Sequence, residues 1–206
     1  LPGGIGELVA TLTQALAPGT VVLSARVTDL RRAGDYAVTS AAGTVHARAV
    51  LLTVPAYVAA HLLRGVDTML AGLCEAMPYA STATVAFGFR RDQVRHPMEG
   101  TGFVVPRREA CPLMAATWVT SKWPGRAPDG HVLLRAFLGG GRDPRRLERS
   151  DEELITSARE SLAETLGISE APVVTRLTRW TRQSPQYEVG HLDRIATIAR
   201  HVDAIP

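Results

Sequence analysis

Several features that would declare a function outright are missing or scarce in this sequence. Aromatic residues make up only 5% of its 206 residues, so a core must be built mostly from Leu, Val and Ala. Two cysteines, Cys74 and Cys111, lie at a spacing that matches no zinc or redox motif. They read as reduced thiols and point to a reducing, cytoplasmic location. The formal charge is +3, spread along the chain without the dense basic block and interleaved aromatics of a nucleic-acid binder. The densest run, Arg142, Arg145, Arg146 and Arg149, is broken by Asp143 and Glu148. It reads as a solvated loop leading into a helix, with a weak anion or membrane-headgroup contact as the functional alternative. No apolar stretch reaches the ~18 residues of a membrane-spanning helix. The longest, around Ala49 to Ala60, is interrupted by Thr53 and Pro55.

The signatures of common chemistry are absent as well. No G-x-G-x-x-G follows a strand, so the phosphate cradle of a dinucleotide site is not here. Gly139-Gly140-Gly141 follows a strand but precedes no Lys-Ser/Thr, which excludes a P-loop. His46, His61, His96, His131, His191 and His201 show no metal-ligand spacing, so no metal is expected. No Ser sits in a G-x-S-x-G elbow. The first residues lack both an initiator Met and a basic leader, and the expectation is a piece of a longer protein.

What is present is an ordinary globular composition, 46% hydrophobic and 21% charged, enough for one domain or parts of two. Ile5, Leu8, Val9, Leu12 and Leu16 recur at helical spacing up to Pro18-Gly19. Three strands are predicted next: Val21–Leu30, Tyr36–Thr39 and Val45–Val54. The end of the third is so apolar that it reads as covered on both faces. A weak helical pattern runs from Leu62 to Met77. Thr82–Phe89, Thr101–Pro106, Met114–Thr120 and His131–Leu138 then follow as strands separated by polar turns, with no helix between them. That pattern predicts an antiparallel meander. Ser150-Asp151-Glu152-Glu153 is a capping box. Leu154, Ala158, Leu162 and Leu166 line one face of the helix it opens, and Gly167 sits where a left-handed cap belongs. A strand over Val173–Trp180 and a helix over Leu192–Val202 complete the reading.

One set of segments goes further. The stretch from Trp118 to Gly140, with Trp123-Pro124-Gly125-Arg126-Ala127-Pro128-Asp129-Gly130 at its turn, resembles the substrate-domain meander of bacterial protoporphyrinogen/coproporphyrinogen oxidases. Gly102-Phe103-Val104-Val105-Pro106 resembles the same family. So does Arg179-Trp180 followed by Ser184-Pro185-Gln186-Tyr187-Glu188-Val189-Gly190-His191. Gly3-Gly4-Ile5 resembles the family's Gly-Gly-Met helix start, and Val45 to Pro55 the strand by which the chain leaves the flavin domain. The matches fall in order along essentially the whole chain.

The resemblance implies an α+β fold: an antiparallel substrate-domain sheet with helices, plus part of a discontinuous FAD-binding domain. Residues 1–60 would be the middle segment of the FAD domain, 61–190 the substrate-binding domain, and 191–206 the start of the return to the FAD domain. The implied activity is FAD-dependent oxidation of coproporphyrinogen III or protoporphyrinogen IX to the porphyrin in haem biosynthesis, with oxygen as acceptor. The chain taken alone is expected to be inactive. The implied partner is a tetrapyrrole substrate, with no nucleic acid, and a peripheral membrane contact is left open.

Val27 aligns with a position whose backbone contacts the adenine end of FAD, and Trp180 with an aromatic position near the flavin ring. Phe103, Trp118 and Phe137 could line a flat tetrapyrrole pocket or simply pack. Arg107, Arg126 and Arg135 could pair with propionate carboxylates. No catalytic acid or base stands out. Two alternatives stay open: another flavin amine oxidase or desaturase, and a non-catalytic flavin-fold binding module.

Overall fold

The computed structural model describes residues 3–205. They form helices and two antiparallel sheets, divided between two compact units: 3–78 with 186–205, and 79–185.

The first unit opens with α1 (Gly6–Gln14), where the apolar spacing predicts a helix. Its apolar residues Ile5, Leu8, Val9 and Leu12 are all exposed. Strands β1 (Val27–Ala33), β2 (Asp35–Ser40) and β3 (Gly43–Ala47) follow as an antiparallel meander. The turn between β1 and β2 depends on Gly34 at φ +81°, a backbone state that suits a residue without a Cβ.

Two strand expectations fail here. Val21–Leu23 lies outside any strand, and the third strand stops at Ala47 instead of running to Val54. A strand exists only where a neighbour takes its backbone hydrogen bonds. Among the described residues none lies beside 48–54, and Leu51 is 87% exposed.

Two helices follow Pro55, α2 (Ala56–Leu63) and α3 (Thr68–Glu75), and the weak pattern over Leu62–Met77 covers the end of the first and all of the second. Asp67 caps α3 by accepting the Leu70 N–H at 2.9 Å.

The second unit is built on β4 (Tyr79–Arg90), β5 (Gly102–Val104), β6 (Ala115–Trp118), the single helical turn α4 (Val119–Lys122), β7 (His131–Gly139), α5 (Asp151–Leu166) and β8 (Val174–Pro185). Every pairing is antiparallel, in the order β5-β6-β7-β4-β8. The expected meander holds for β5, β6 and β7. The long β4 departs from it: it lies between β7 and β8, at the centre of the sheet's main pairings. Its alternating pattern sets which face is buried. Ala83, Val85, Phe87 and Phe89 are fully buried, so this face of the strand must be covered along its length.

The cover is α5. Leu154, Ala158, Leu162 and Leu166 are all buried and share one core with Val85, Phe87, Leu134 and Leu138. The capping box is in place: Glu153 N–H donates to Ser150 Oγ at 3.2 Å, and Ser150 N–H donates to the Glu153 carboxylate at 2.9 Å. Gly167 ends the helix at φ 63°. The chain then returns to the first unit through α6 (His191–Asp203). There Ile198 packs on a small core of Ala60, Leu70 and Cys74.

The units divide after residues 78 and 185. Helices α2 and α3 find their apolar partners with each other and with Ile198, so they stay with the first unit.

Candidate functional site

Strand alternation decides what the sheet of the second unit can present. The even-numbered residues of β4 stand opposite its buried face, and registry carries that division across the sheet. Thr82 faces Gly139 and Trp180, Thr84 faces Phe137 and Thr178, and Ala86 faces Arg135 and Arg176. With Gln183 and Ser184 these residues line a cavity of about 560 Å³.

Gln183 and Ser184 reach it because β8 bulges. The register slips between Ala80 and Thr82, and Arg182 adopts φ 49°. Its N–H is held by Ser81 Oγ at 2.9 Å. A bulge of this kind re-aims the residues that follow it.

The lining has a clear chemical character: hydroxyls, one amide, two aromatic rings and two guanidinium groups, with no carboxylate, thiol or imidazole. Trp180 is 46% exposed, yet its ring is oriented, because Nε1–H donates to Thr84 Oγ1 at 3.1 Å. Its neighbour Arg179 points to the other face and ties β8 to the start of α5. It donates to Asp151 at 2.8 Å and to the carbonyls of Leu147 and Arg149 at 2.7 Å.

Among the described residues, the groups whose ionisation is shifted all lie away from this cavity. The Glu153 carboxyl is held down first by the Ser150 backbone N–H, and Asp67 first by the Leu70 N–H. The hydrogen bond from Arg90 lowers Asp92. Burial alone pushes the Cys74 thiol up. With no proton-transfer group in its walls, the cavity is equipped to bind and orient a flat partner but not to supply an acid or base.

The structure sorts the residues singled out from the sequence. Trp180, Phe137 and Arg135 come together on the open face. Phe103 and Trp118 do not join them. Phe103 packs against the main core, and Trp118 is 6% exposed with its ring 4.5 Å from that of His96. The three aromatics therefore form no common pocket, because Phe103 and Trp118 fall on the opposite side of the pleat from Phe137.

Arg107 borders a different cavity, with Glu109, Arg142, Asp143, Arg146 and Arg149, and Arg126 lies in the turn between α4 and β7. The arginine run is more anchored than a solvated loop. Arg142 donates to the carbonyls of Val105 and Pro106, and Arg146 pairs with Asp143 at 2.8 Å. Val27 belongs to the other unit. It opens β1, an edge strand, opposite Ser40, and is 38% exposed.

Arg176, Thr84 and Thr178 were not singled out from the sequence. The usable signal was the alternation of Thr with Ala, Val and Phe along β4, which marks a face that the core does not claim.

Comparison with known proteins supplies the lineage. Residues 1–200 match the family model described as flavin containing amine oxidoreductase. Over 197 residues the chain is 35% identical to the coproporphyrinogen III oxidase of Bacillus subtilis (strain 168), covering 95% of this chain and 42% of that protein. It is 28% identical to the chloroplastic protoporphyrinogen oxidase of Nicotiana tabacum over 162 residues, covering 75% of this chain and 30% of that one. A crystal structure from Exiguobacterium sp. 255-15, provisionally named a protoporphyrinogen oxidase, superposes with a TM-score of 0.84 at 32% identity, covering 99% of this chain and 44% of that one. A putrescine oxidase at 21% identity and a TM-score of 0.73 shares the fold. The chain thus spans less than half the length of the relatives it matches. With the family model matched over nearly its whole length, this chain belongs to the flavin containing amine oxidoreductase family.

Proposed function

We propose that this chain contributes the substrate floor and part of the cofactor site of an FAD-dependent porphyrinogen oxidase. The reaction is oxidation of coproporphyrinogen III or protoporphyrinogen IX to the porphyrin, with oxygen as acceptor. The observation that carries the proposal is the similarity, over 197 residues, to a coproporphyrinogen III oxidase. The chemistry of the open sheet face agrees with it. A porphyrinogen is broad and apolar, with anionic arms, and the face offers two aromatic rings, hydroxyls and two arginines with no acid among them.

The residues present suit part of a flavin site. Bound FAD would accept the hydride equivalents taken from the substrate. In this reading Trp180, fixed through Thr84, walls off water beside the ring system. Val27 stands on an edge strand whose outer side has no strand partner among the described residues. In this reading the backbone groups there meet the adenine rim. The pyrophosphate needs a glycine-rich turn and a helix N-terminus, and no such motif occurs in this sequence.

The test is an oxidase assay on the natural gene product that contains this chain, supplied with FAD and oxygen. Chemically reduced coproporphyrinogen III or protoporphyrinogen IX should yield fluorescent porphyrin well above the rate of autoxidation, while putrescine should not be consumed. Oxidation of amines without porphyrin formation would place the protein with the amine oxidases. Flavin-free protein that binds porphyrin without oxidising its precursor would make it a binding module.

A further inference from the structure

Two unpaired cations share one row of the open sheet face. Arg135 on β7 and Arg176 on β8 both stand opposite Ala86 of β4. Each is therefore one strand away from Ala86 on the same side, and their Cα atoms are about 10 Å apart. Neither guanidinium makes an ion pair or hydrogen bond with the described residues, and no carboxylate lines the cavity they border. The arginines on the other face of this sheet and its flanks behave differently: Arg179 binds Asp151, and Arg146 binds Asp143. Ala86, the residue between the pair, has no side chain to fill the gap. The next row, Phe137, Thr84 and Thr178, and then Trp180 beside Thr82, extend the same floor in hydroxyls and flat apolar rings.

We infer that Arg135 and Arg176 form a two-point clamp for the carboxylates of two neighbouring propionate arms, with the macrocycle lying over Phe137 and Trp180. The inference rests on the porphyrinogen reading above. It adds the residues that recognise the substrate's charge and the end of the floor at which the propionates sit. A guanidinium binds a carboxylate through two parallel N–H donors. Two of them on residues whose Cα atoms lie about 10 Å apart, across a strand whose side chain is a methyl, leave a slot for two carboxylates side by side. Coproporphyrinogen III and protoporphyrinogen IX both carry such a pair on adjacent pyrrole rings. The clamp reads what the two substrates share and does not discriminate between them.

The experiment is a fluorescence titration of the natural gene product that contains this chain with coproporphyrin III and with its tetramethyl ester, both carried in the same mild detergent. Arg135→Gln and Arg176→Gln should each weaken binding of the acid about tenfold and together about a hundredfold, while ester affinity stays at the wild-type value. Ala86→Glu, which sets a carboxylate between the two cations, should weaken acid binding as strongly as the double variant without removing either arginine. Protoporphyrin IX should follow coproporphyrin III in every variant. Acid binding that survives in the double variant and in Ala86→Glu would overturn the clamp and leave the porphyrinogen reading standing. Equal loss of acid and ester would overturn it too, by showing general damage to the floor. Wild-type protein that oxidises the porphyrinogen but binds acid and ester with equal affinity would overturn the clamp alone, whereas failure of the oxidase assay would remove the reading on which the clamp rests.

Discussion

A Cβ is a small group, and at two glycines of the second unit its addition has very different consequences. Gly102 begins β5 at φ +138°, and a Cβ there would lie 2.0 Å from the Ala116 carbonyl oxygen and 2.9 Å from Thr117 Cα. Both are backbone atoms of the neighbouring strand, so nothing can move aside without breaking the β5–β6 ladder. Gly130, before β7, has φ +70° and nothing within 4 Å. Gly130→Ala should therefore cost only the left-handed backbone term, about 1–2 kcal/mol. Gly102→Ala should cost more than that and detach β5. Urea melts of the two variants measure the costs, and amide exchange at Val105 and Trp118, whose N–H groups donate to the carbonyls of Met114 and Thr101, reports the detachment. Equal costs would mean that the strands separate freely at this edge.

Residue chemistry was visible in the sequence where it depended on local spacing, as with Gly167 and Ser150. It was not visible where it depended on which face of a strand a side chain takes. Phe103, Trp118 and Phe137 look alike in the sequence. Only the pleat and the pairing of β5, β6 and β7 send the first two into the core and leave Phe137 beside Trp180.

Helix α5 shows how an element can be legible from end to end. Its cap, its four-residue stripe and its stop are all local, and each does in the structure what the sequence says. The cap also carries a pH signature. Glu153 has its carboxyl held below the ordinary value of 4.5, chiefly by the Ser150 N–H. A group whose folded pKa is depressed contributes stability above its unfolded pKa and loses it as pH falls through the folded one. Stability should thus decline as pH drops below the ordinary glutamate range. Glu153→Gln should flatten that part of the decline, with little change between pH 6 and 8. Ser150→Ala should lower stability by about 1 kcal/mol at neutral pH, through loss of the hydroxyl that accepts a helix N–H. Thermal melts of the three proteins across the acid range separate these effects; parallel acid limbs in wild type and Glu153→Gln would show that the box does not titrate with folding.

The run 48–54 is the opposite case. Its β-branched, apolar content states a strand, yet no strand lies alongside it among the described residues. Propensity reports what a segment can pair with and not whether a partner is there. The placement of β4 between β7 and β8 was hidden for a related reason. Chain order shows a meander, whereas β4 pairs with β7 and β8, strands far along the chain, and no local signal names them.

The whole molecule combines two units with very different interiors. The second unit owns a continuous core that joins β4, β6, β7 and α5, with Phe87, Phe89, Leu113, Leu134, Leu138, Leu154 and Leu162 almost completely buried. The first unit's core is the short cluster of Ala60, Leu70 and Cys74 with partly buried neighbours, while the apolar residues of α1 and Leu51 remain exposed. Burial of apolar surface contributes about 25 cal/mol per Å², so most of the stabilisation resides in residues 79–185. Local opening follows local burial. Amides of β4 and β7 should consequently exchange only through opening of the whole second unit. Those of β1–β3 and α2 should exchange faster, through an opening that leaves the second sheet intact. Leu162→Ala should cost about 2–5 kcal/mol by removing a fully buried side chain. It should accelerate exchange throughout β4, β7 and α5 while leaving β1–β3 at their wild-type rates. Hydrogen exchange followed by mass spectrometry on wild type and this variant resolves the two sets of peptides. If Leu162→Ala raised exchange in both units by the same factor, the chain would unfold as one cooperative body, and the unequal cores would have no separate stability to report.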